Sequence, residues 1–574
     1  MVTWSDVLLW RAAHIETVQD DASAARKAAR EQVQELEAHY SRIASQGLAI
    51  DAMRQALSRV QDELDHAVNA ISAYMLACAE AIDGVRVVEA KVRSALEISE
   101  EIGCTIYDDG SVSIPYIDLS DAVRYGKADV LLGKSNELHM CIADALSIAR
   151  KVDEELRRKL QELAEDRFEQ NGPKEGRHSA SPGLPDDADE SWSPSEVSAW
   201  WGALTDEERQ ACIERDPLKY GNLDGIDMAS RDKANRMALY GYDTGGNASI
   251  RLGSTGLLQQ AQDKLDQAQA AYDDCVGAHG EDSDEAKVLK AERDRAERDL
   301  ADLQKIDERL RKGAGEDGEP VSLLALDTSG EQVKAAVAVG DVDHAQHVAN
   351  FTPGMGTNVR DSLDNYVDVA DRMRDKTVEQ ANIEPSDVAV VAWLNYDAPT
   401  DITKTWDTDV ASTEKARAGA DRLAGFLTGV RSWRDEQGGS LHLTSVSHSY
   451  GSTTAGFAMR QMGEGVVDDH IYLASPGSAA YTVGALGVDP SHVWVSAVPE
   501  GDMVQGMGPD VTFGRNPEQL EGIQHLSGDA TGAQGYDPQP SSPVANHSSY
   551  FAPPKPGERN EAFDDVCRVL GGAK

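Results

Sequence analysis

Apolar side chains recur at steps of three and four residues through the first third of the chain. The first series runs Leu8, Ala12, Ile15, Val18, Ala22, Ala25, Ala29, Val33, Leu36, Tyr40 and Ile43. Such steps put one stripe on one face of a long helix. Gly47 interrupts it, and a second series from Met53 through Leu57, Val60, Leu64, Val68, Ile71 and Met75 to Ile82 predicts a helix of similar length. The turn-rich stretch Tyr107–Val112 predicts a tight hairpin or loop. Leu138, Ile142, Leu146, Val152, Leu156, Leu160 and Leu163 then mark a third helix. Stripes this long need apolar partners, so residues 1–170 are expected to form an all-α bundle or hairpin domain.

Residues 171–195 are rich in Pro, Gly, Ser and acidic side chains with almost nothing to bury, which predicts a flexible acidic linker. A second domain is expected over 196–574. It opens with Trp200 and Trp201, then Thr205 with Glu208 three residues on, the pattern of a capping box. Residues 257–312 repeat the helical period twice, broken at Gly277–Gly280, and predict a helical hairpin projecting from the domain as an insertion. From Val321 the texture changes. Short apolar runs at 321–326, 333–339, 347–351, 388–394, 441–446, 470–474 and 492–497 alternate with helical stretches. Val388–Leu394 is apolar throughout, as expected of a strand covered on both faces. The expected class is α/β, with a mostly parallel sheet flanked by helices.

Composition narrows the functions. Among 574 residues, 99 acidic and 55 basic side chains give a net charge of −44. Nucleic acid and anionic membrane are excluded as main partners, because both would be repelled. No apolar run approaches the roughly 18–20 residues of a membrane-spanning helix. Met1–Arg11 lacks a basic stretch followed by an apolar one, so no signal peptide is expected and the default location is cytoplasmic. The six cysteines are scattered without a CxxC pair, which argues against the common zinc patterns and a disulfide framework. No metal cluster, phosphate loop or dinucleotide fingerprint stands out, so neither metal nor cofactor is expected.

The chemistry concentrates at Leu441–Val446, which runs into Ser447-His448-Ser449-Tyr450-Gly451-Ser452 and then into small residues. Strand, sharp turn and helix make the context of a nucleophile elbow around Ser449. The residues two positions away must be small. Gly451 meets that requirement, and Ser447 stands where the motif has its first glycine. In this architecture the acid and then the histidine follow the nucleophile. Asp502, after the run 492–497, is the candidate acid, with Glu500, Asp468 and Asp469 as rivals; the last two precede a strand. His547, just ahead of a C-terminal helix, is the candidate base, with His525 as the alternative. An oxyanion hole would draw one backbone N–H from Tyr450 and another from Gly354 or Met355 in the glycine-bearing loop after residue 351. Asn395, Tyr396 and Asp397 are expected to line the cleft.

Together, Gly221–Gly225, Ala234–Arg236, Thr352–Gly356, Trp393–Pro399, Ser447–Ser452, Gly501–Asp502 and His547–Tyr550 resemble the actinobacterial alpha/beta-hydrolase family catalogued as a domain of unknown function. The resemblance covers roughly residues 195–552. It implies the alpha/beta-hydrolase fold and a triad of Ser449, Asp502 and His547, and supplies no substrate. The front helices are loosely similar to helical hairpins of proteins related to type VII secretion, which would imply export without a signal peptide; the Trp-x-Gly turn of that group is absent from Ser45–Leu48. The leading expectation is a serine esterase acting on a small-molecule or lipid ester through an acyl-enzyme. The rival expectation is an interaction protein whose helical front binds a protein partner, with the hydrolase body as scaffold.

Overall fold

The computed structural model describes residues 2–41, 46–113, 128–165, 184–241, 255–315, 318–400 and 409–572. Ile43, Ser45 and positions 171–183 of the expected linker lie outside them. The chain divides into two compact units, one of residues 1–116 and 138–210, the other of 117–137 and 211–574. Residues 196–210, which follow the linker in sequence, therefore group with the front helices.

In the first unit the long helices span Ala12–Ser41 and Leu48–Ile102, with a third from Ala128 to Ala164 whose residues from Leu138 onward belong here. The second helix runs some twenty residues past Ile82, the last position of its predicted stripe, and stops at Gly103, whose φ of 69° is the left-handed conformation that caps a helix. The hairpin follows as β1 (Thr105–Ile106) and β2 (Val112–Ser113), turning at Gly110. Trp4, Val7, Val88, Ala95, Leu138, Cys141 and Ala149 make the apolar core. The helix Pro194–Ala203 is fastened to the second helix by Asp83, which accepts from the Ser195 backbone N–H at 2.9 Å and hydroxyl at 2.7 Å.

The second unit is built on an eight-stranded sheet. Its strands are β3 (Val321–Asp327), β4 (Lys334–Val339), β5 (His347–Thr352), β6 (Val388–Leu394), β7 (His442–His448), β8 (Asp469–Leu473), β9 (Val493–Ser496) and β10 (Gln524–His525). The order across the sheet is β10-β9-β8-β7-β5-β6-β4-β3, parallel except that β4 runs antiparallel to both β3 and β6. The α/β class and the mostly parallel sheet expected from sequence are what the chain forms. Strand β6 shows why its sequence is continuously apolar. Ala389, Val391 and Trp393 enter a core with Phe426 and Leu427, while Val388, Val390, Ala392 and Leu394 enter a second core with Leu363, Met373 and Phe563. Alternate side chains leave opposite faces of a strand, and here both faces are covered.

The edge strand β3 carries a device the sequence pattern does not announce. Two short helices, Pro217–Asn222 and Met228–Tyr240, lie along it and satisfy its free backbone groups with side chains. Asn222 accepts from Leu326 N–H at 3.1 Å and donates to Leu326 O at 2.9 Å. Asp232 accepts from Leu323 N–H at 2.6 Å, Asn235 donates to Leu323 O at 3.0 Å, and Arg231 donates to Leu324 O at 2.7 Å. Arg236 donates to Val321 O at 2.7 Å. Unpaired edges invite pairing with other chains, and these side chains occupy this one. Gly221 is needed for the fit, since a Cβ there would lie 2.0 Å from Asn235 Oδ1.

The predicted hairpin forms as Leu257–His279 and Asp284–Lys312. Its second helix does not project freely. Fully buried Arg309 binds Asp364 and Asp368, each at 2.9 Å, on the helix Val359–Ala381 that covers β4 and β6. Among the described residues no helix is long and apolar enough to cross a membrane.

The edge cap makes a stability prediction. Asn235→Leu keeps bulk but strips the buried bonds to Leu323 O and Gly221 O, the latter 2.7 Å long. Leaving buried carbonyls unsatisfied should cost about 1–3 kcal/mol. The check is a lower chemical-denaturation midpoint for the second unit, together with increased aggregation during refolding; an unchanged midpoint would contradict the role given to the cap.

Candidate active site

Ser449 sits between β7 and the helix Tyr450–Met459, with φ 55° and ψ −135°. A non-glycine residue held there is strained, and the strain is supported from outside the turn. The Ser449 N–H donates to Leu473 O of β8 at 3.0 Å. Gly451 lets the elbow helix approach the end of β5: a Cβ there would lie 2.3 Å from Pro353 O and 2.6 Å from Thr352 O. Ser447, in place of the motif's first glycine, is fully buried and donates its hydroxyl to Ile471 O at 2.9 Å. The substitution is therefore accommodated without an orphaned polar group.

The loop after β5 lies against Ser449. A Cβ on Gly354 would come 2.6 Å from Ser449 Cβ and 2.9 Å from its Oγ, so only glycine leaves room there. The loop is held at three points. Thr357 donates its hydroxyl to Gly354 O at 2.8 Å, Gly356 N–H donates to Pro399 O at 2.8 Å, and Tyr396 donates to Pro353 O at 2.7 Å. Met355 packs its side chain against the apolar core. Tyr450 opens the elbow helix, where the first N–H groups have no intrahelical partner, and its phenol is anchored at Ser412 O, 2.7 Å away.

Asp502 and His547 meet across two loops. His547 Nδ1 lies 2.9 Å from Asp502 Oδ1, with the carboxylate fully buried and the imidazole slightly exposed. Tyr550 donates to Asp502 Oδ2 at 2.7 Å, and Val504 N–H donates to Oδ1 at 3.1 Å. A carboxylate can only accept, so Nδ1 carries the proton and Nε2 is left as the basic nitrogen. Burial pushes the Asp502 pKa up, but the bonds from His547 and Tyr550 outweigh it and hold the carboxyl below its ordinary value. Asn546, fully buried, stitches the two loops by donating to Glu500 O at 2.9 Å and Asp537 O at 3.0 Å.

The rivals stand elsewhere. His525 is exposed on β10 and Glu500 is exposed at the surface. Asp468 accepts from Arg431 at 2.6 Å and from Leu443 N–H at 2.7 Å. Asp469 is held by His492 and Trp494 at the start of β8, the opposite end of the strand from the elbow. The three residues expected to line the cleft separate. Tyr396 stacks on Trp393 in the core and braces the loop after β5. Asp397 pairs with Lys334 at 3.3 Å. Asn395 binds Arg422 and lines a polar cavity of about 610 Å³ with Asn222, Asp224, Arg231 and Asp327, none of which is a candidate triad residue. Sequence reasoning assigned no role to His448, Asn546 or Tyr550. The last had a signal, since it follows His547 within the Ser-Ser-Tyr run. Among the described residues, no group of three or more His, Cys, Asp or Glu is arranged to hold a metal ion.

The lowered Asp502 pKa fixes the sign of its effect on stability. Its contribution is fully present above the unfolded carboxylate value near ~3.9 and is lost as pH falls through the lower folded value. Tyr550→Phe removes one donor and also strips the phenol oxygen that accepts from Val498 N–H at 2.9 Å. The Asp502 carboxyl should then titrate at higher pH, read by carbon NMR of labelled aspartate, with about 1–3 kcal/mol of stability lost at neutral pH. An unmoved titration would show that the phenol does not set it.

Comparison with known proteins bears on this arrangement. Residues 328–512, which carry Ser449 and Asp502, match the family described as Alpha/beta hydrolase. The uncharacterized protein Rv2079 of Mycobacterium tuberculosis is 30% identical over 309 residues, 53% of this chain and 42% of that protein. The chain thus spans less than half the length of that relative. The uncharacterized protein Mb0988c of Mycobacterium bovis is 33% identical over 235 residues, 40% of this chain and 83% of its own length. Among solved structures, dienelactone hydrolase from Anabaena variabilis is 14% identical with a TM-score of 0.25, covering 43% of this chain and 94% of that one. By the match across the sheet and the relative covered over most of its length, the chain belongs to an actinobacterial family of alpha/beta hydrolases.

Proposed function

We propose that the second unit is a serine hydrolase that cleaves carboxylic esters through an acyl-enzyme on Ser449. The observation that carries this reading is the Asp502–His547 pair, whose imidazole packs on His448, the residue just before a serine held at φ 55°. His547 Nε2 takes the Ser449 hydroxyl proton as Oγ attacks the ester carbonyl carbon. The carbonyl oxygen gathers negative charge against the N–H groups of Tyr450 and of Gly354 or Met355. Collapse expels the alcohol, protonated by His547, and leaves the acyl group on Oγ. Water, deprotonated by the same imidazole, then releases the acid.

An apolar acyl group is favoured by what surrounds the pair. Met503 directly follows Asp502, Val544 precedes His547 by three residues, and Met503 N–H donates to Pro543 O at 2.8 Å. Met503, Met507, Val511 and Val544 are all exposed. Unbranched methionines adapt to chains of varied shape.

Two experiments test this. Wild-type protein should react with a fluorophosphonate probe at Ser449, and Ser449→Ala should abolish labelling and lower ester turnover by about four orders of magnitude or more. Labelling that survives the substitution would refute the nucleophile, and a folded wild type inert to probe and esters would favour the scaffold reading. With p-nitrophenyl esters, kcat/KM should rise from acetate to octanoate. Met503→Ser should flatten that rise by about tenfold, the loss of one apolar contact worth roughly 1.4 kcal/mol. Equal or falling values with chain length would argue against the acyl class.

A further inference from the structure

His448 immediately precedes Ser449, and its side chain is enclosed. Its ring lies 4.6 Å from that of His547, centroid to centroid, and edge-on to Phe551 at 4.9 Å and Tyr550 at 6.2 Å. Its Nε2 is 2.8 Å from the backbone oxygen of His547. That oxygen can only accept, so the proton of His448 must sit on Nε2. Nδ1 is then an unprotonated nitrogen, buried and without a hydrogen-bond partner among the described residues.

We propose that His448 is a positioning residue for His547: its Nε2–H holds the backbone carbonyl of the base while its ring braces the imidazole face. The inference rests on the reading of His547 as the base. Two constraints then fix the histidine, Asp502 at Nδ1 and His448 at the main chain. The second traces to the last residue of β7 and the first to the loop that follows β9. The elbow strand that strains Ser449 also locates the base, because His448 and Ser449 are consecutive. A shift of one is transmitted to the other, which preserves their spacing.

Neutrality is part of the device. Burial first, and the neighbouring His547 second, push the His448 pKa down to about 3, against the bond to His547 O and the Asp502 carboxylate, which favour the charged form. A neutral ring can lie against His547 when that residue becomes an imidazolium during the reaction; a second cation there would oppose it. The groups facing His448 are His547, Asp502, Tyr550 and Phe551, from the two loops around the site.

The test has one arm that requires no activity. In nitrogen NMR of histidine-labelled wild type, with His448 assigned by its substitution, the resonance should show the Nε2–H tautomer and no titration between pH 5 and 9. An Nδ1–H tautomer, or titration in that window, would overturn the proposal whatever the enzyme does. The second arm uses variants. His448→Phe keeps the ring and removes the donor, whereas a glutamine amide can place an N–H near the position of Nε2. In folded protein that still labels at Ser449, His448→Phe should lower kcat by about 10²-fold, the scale of a misplaced catalytic group, with KM within about twofold. His448→Gln should recover most of the loss. Wild-type kcat in His448→Phe, or equal deficits in both variants, would overturn the positioning role. Failure of wild type itself to react with probe and ester would instead strike the hydrolase reading and leave the tautomer result standing.

Discussion

The candidate site depends on one local constraint, the turn at Ser449, where a residue with a side chain is kept at positive φ. Such a conformation costs on the order of 1–3 kcal/mol and persists only where the surroundings overdetermine it. Here the surroundings are specific. The N–H of Ser449 is bound to β8 and the hydroxyl of Ser447 to the same strand. The elbow helix is pressed onto the carbonyls of Thr352 and Pro353, an approach that only Gly451 permits. The strain is thus borne by three adjacent strands, β8, β7 and β5. The candidate nucleophile is thus presented from an interior strand of the sheet.

From that turn the other groups are reached in short steps. Gly354 abuts Ser449 because Tyr396, itself packed on Trp393, grips the preceding carbonyl. A core strand therefore supports the loop that would stabilise an oxyanion. On the other side, His448 touches His547, Asp502 orients it, and Tyr550 and Asn546 hold the loops that carry them. Most polar groups so enclosed find their partners within this network, while His448 Nδ1 is left unpaired among the described residues. The residues of the proposed triad and its supports are thus also part of the packing at the carboxyl ends of the strands.

The opposite margin of the sheet is managed by a different economy. Strand β3 has no neighbouring strand on one side, and the side chains of Asn222, Arg231, Asp232, Asn235 and Arg236 stand in for one. This explains why the turn Gly221–Gly225 and the run Ala234–Arg236 hold polar residues at buried positions. Their chemistry resembles a binding motif, yet their bonds go to the backbone of an edge strand. In the front unit, polar burial is likewise structural. Glu196 lies buried against Lys159 at 3.1 Å, with its pKa raised to about 7 by burial.

Much of this was legible in the chain. Runs of apolar residues located seven of the eight strands of the main sheet to within a residue or two, because a strand buried on both faces admits little else. The elbow was legible because strain demands small residues at fixed spacing around Ser449, and chain order pointed to Asp502 and His547. The sequence also set the charge and the helical period of the front third. Other features were decided only by tertiary structure. Strand β10 is two residues long and has no pattern of its own. The reversal of β4 depends on which strands it meets, not on its composition. Tyr396 looks like a cleft residue in sequence and becomes a brace through contact with Pro353. His448 resembles a variable position inside a motif, and its part in holding His547 arises because a loop a hundred residues later folds back onto it. Periodicity and spacing record what a segment must do by itself; they carry no record of which distant backbone will need its last hydrogen bond.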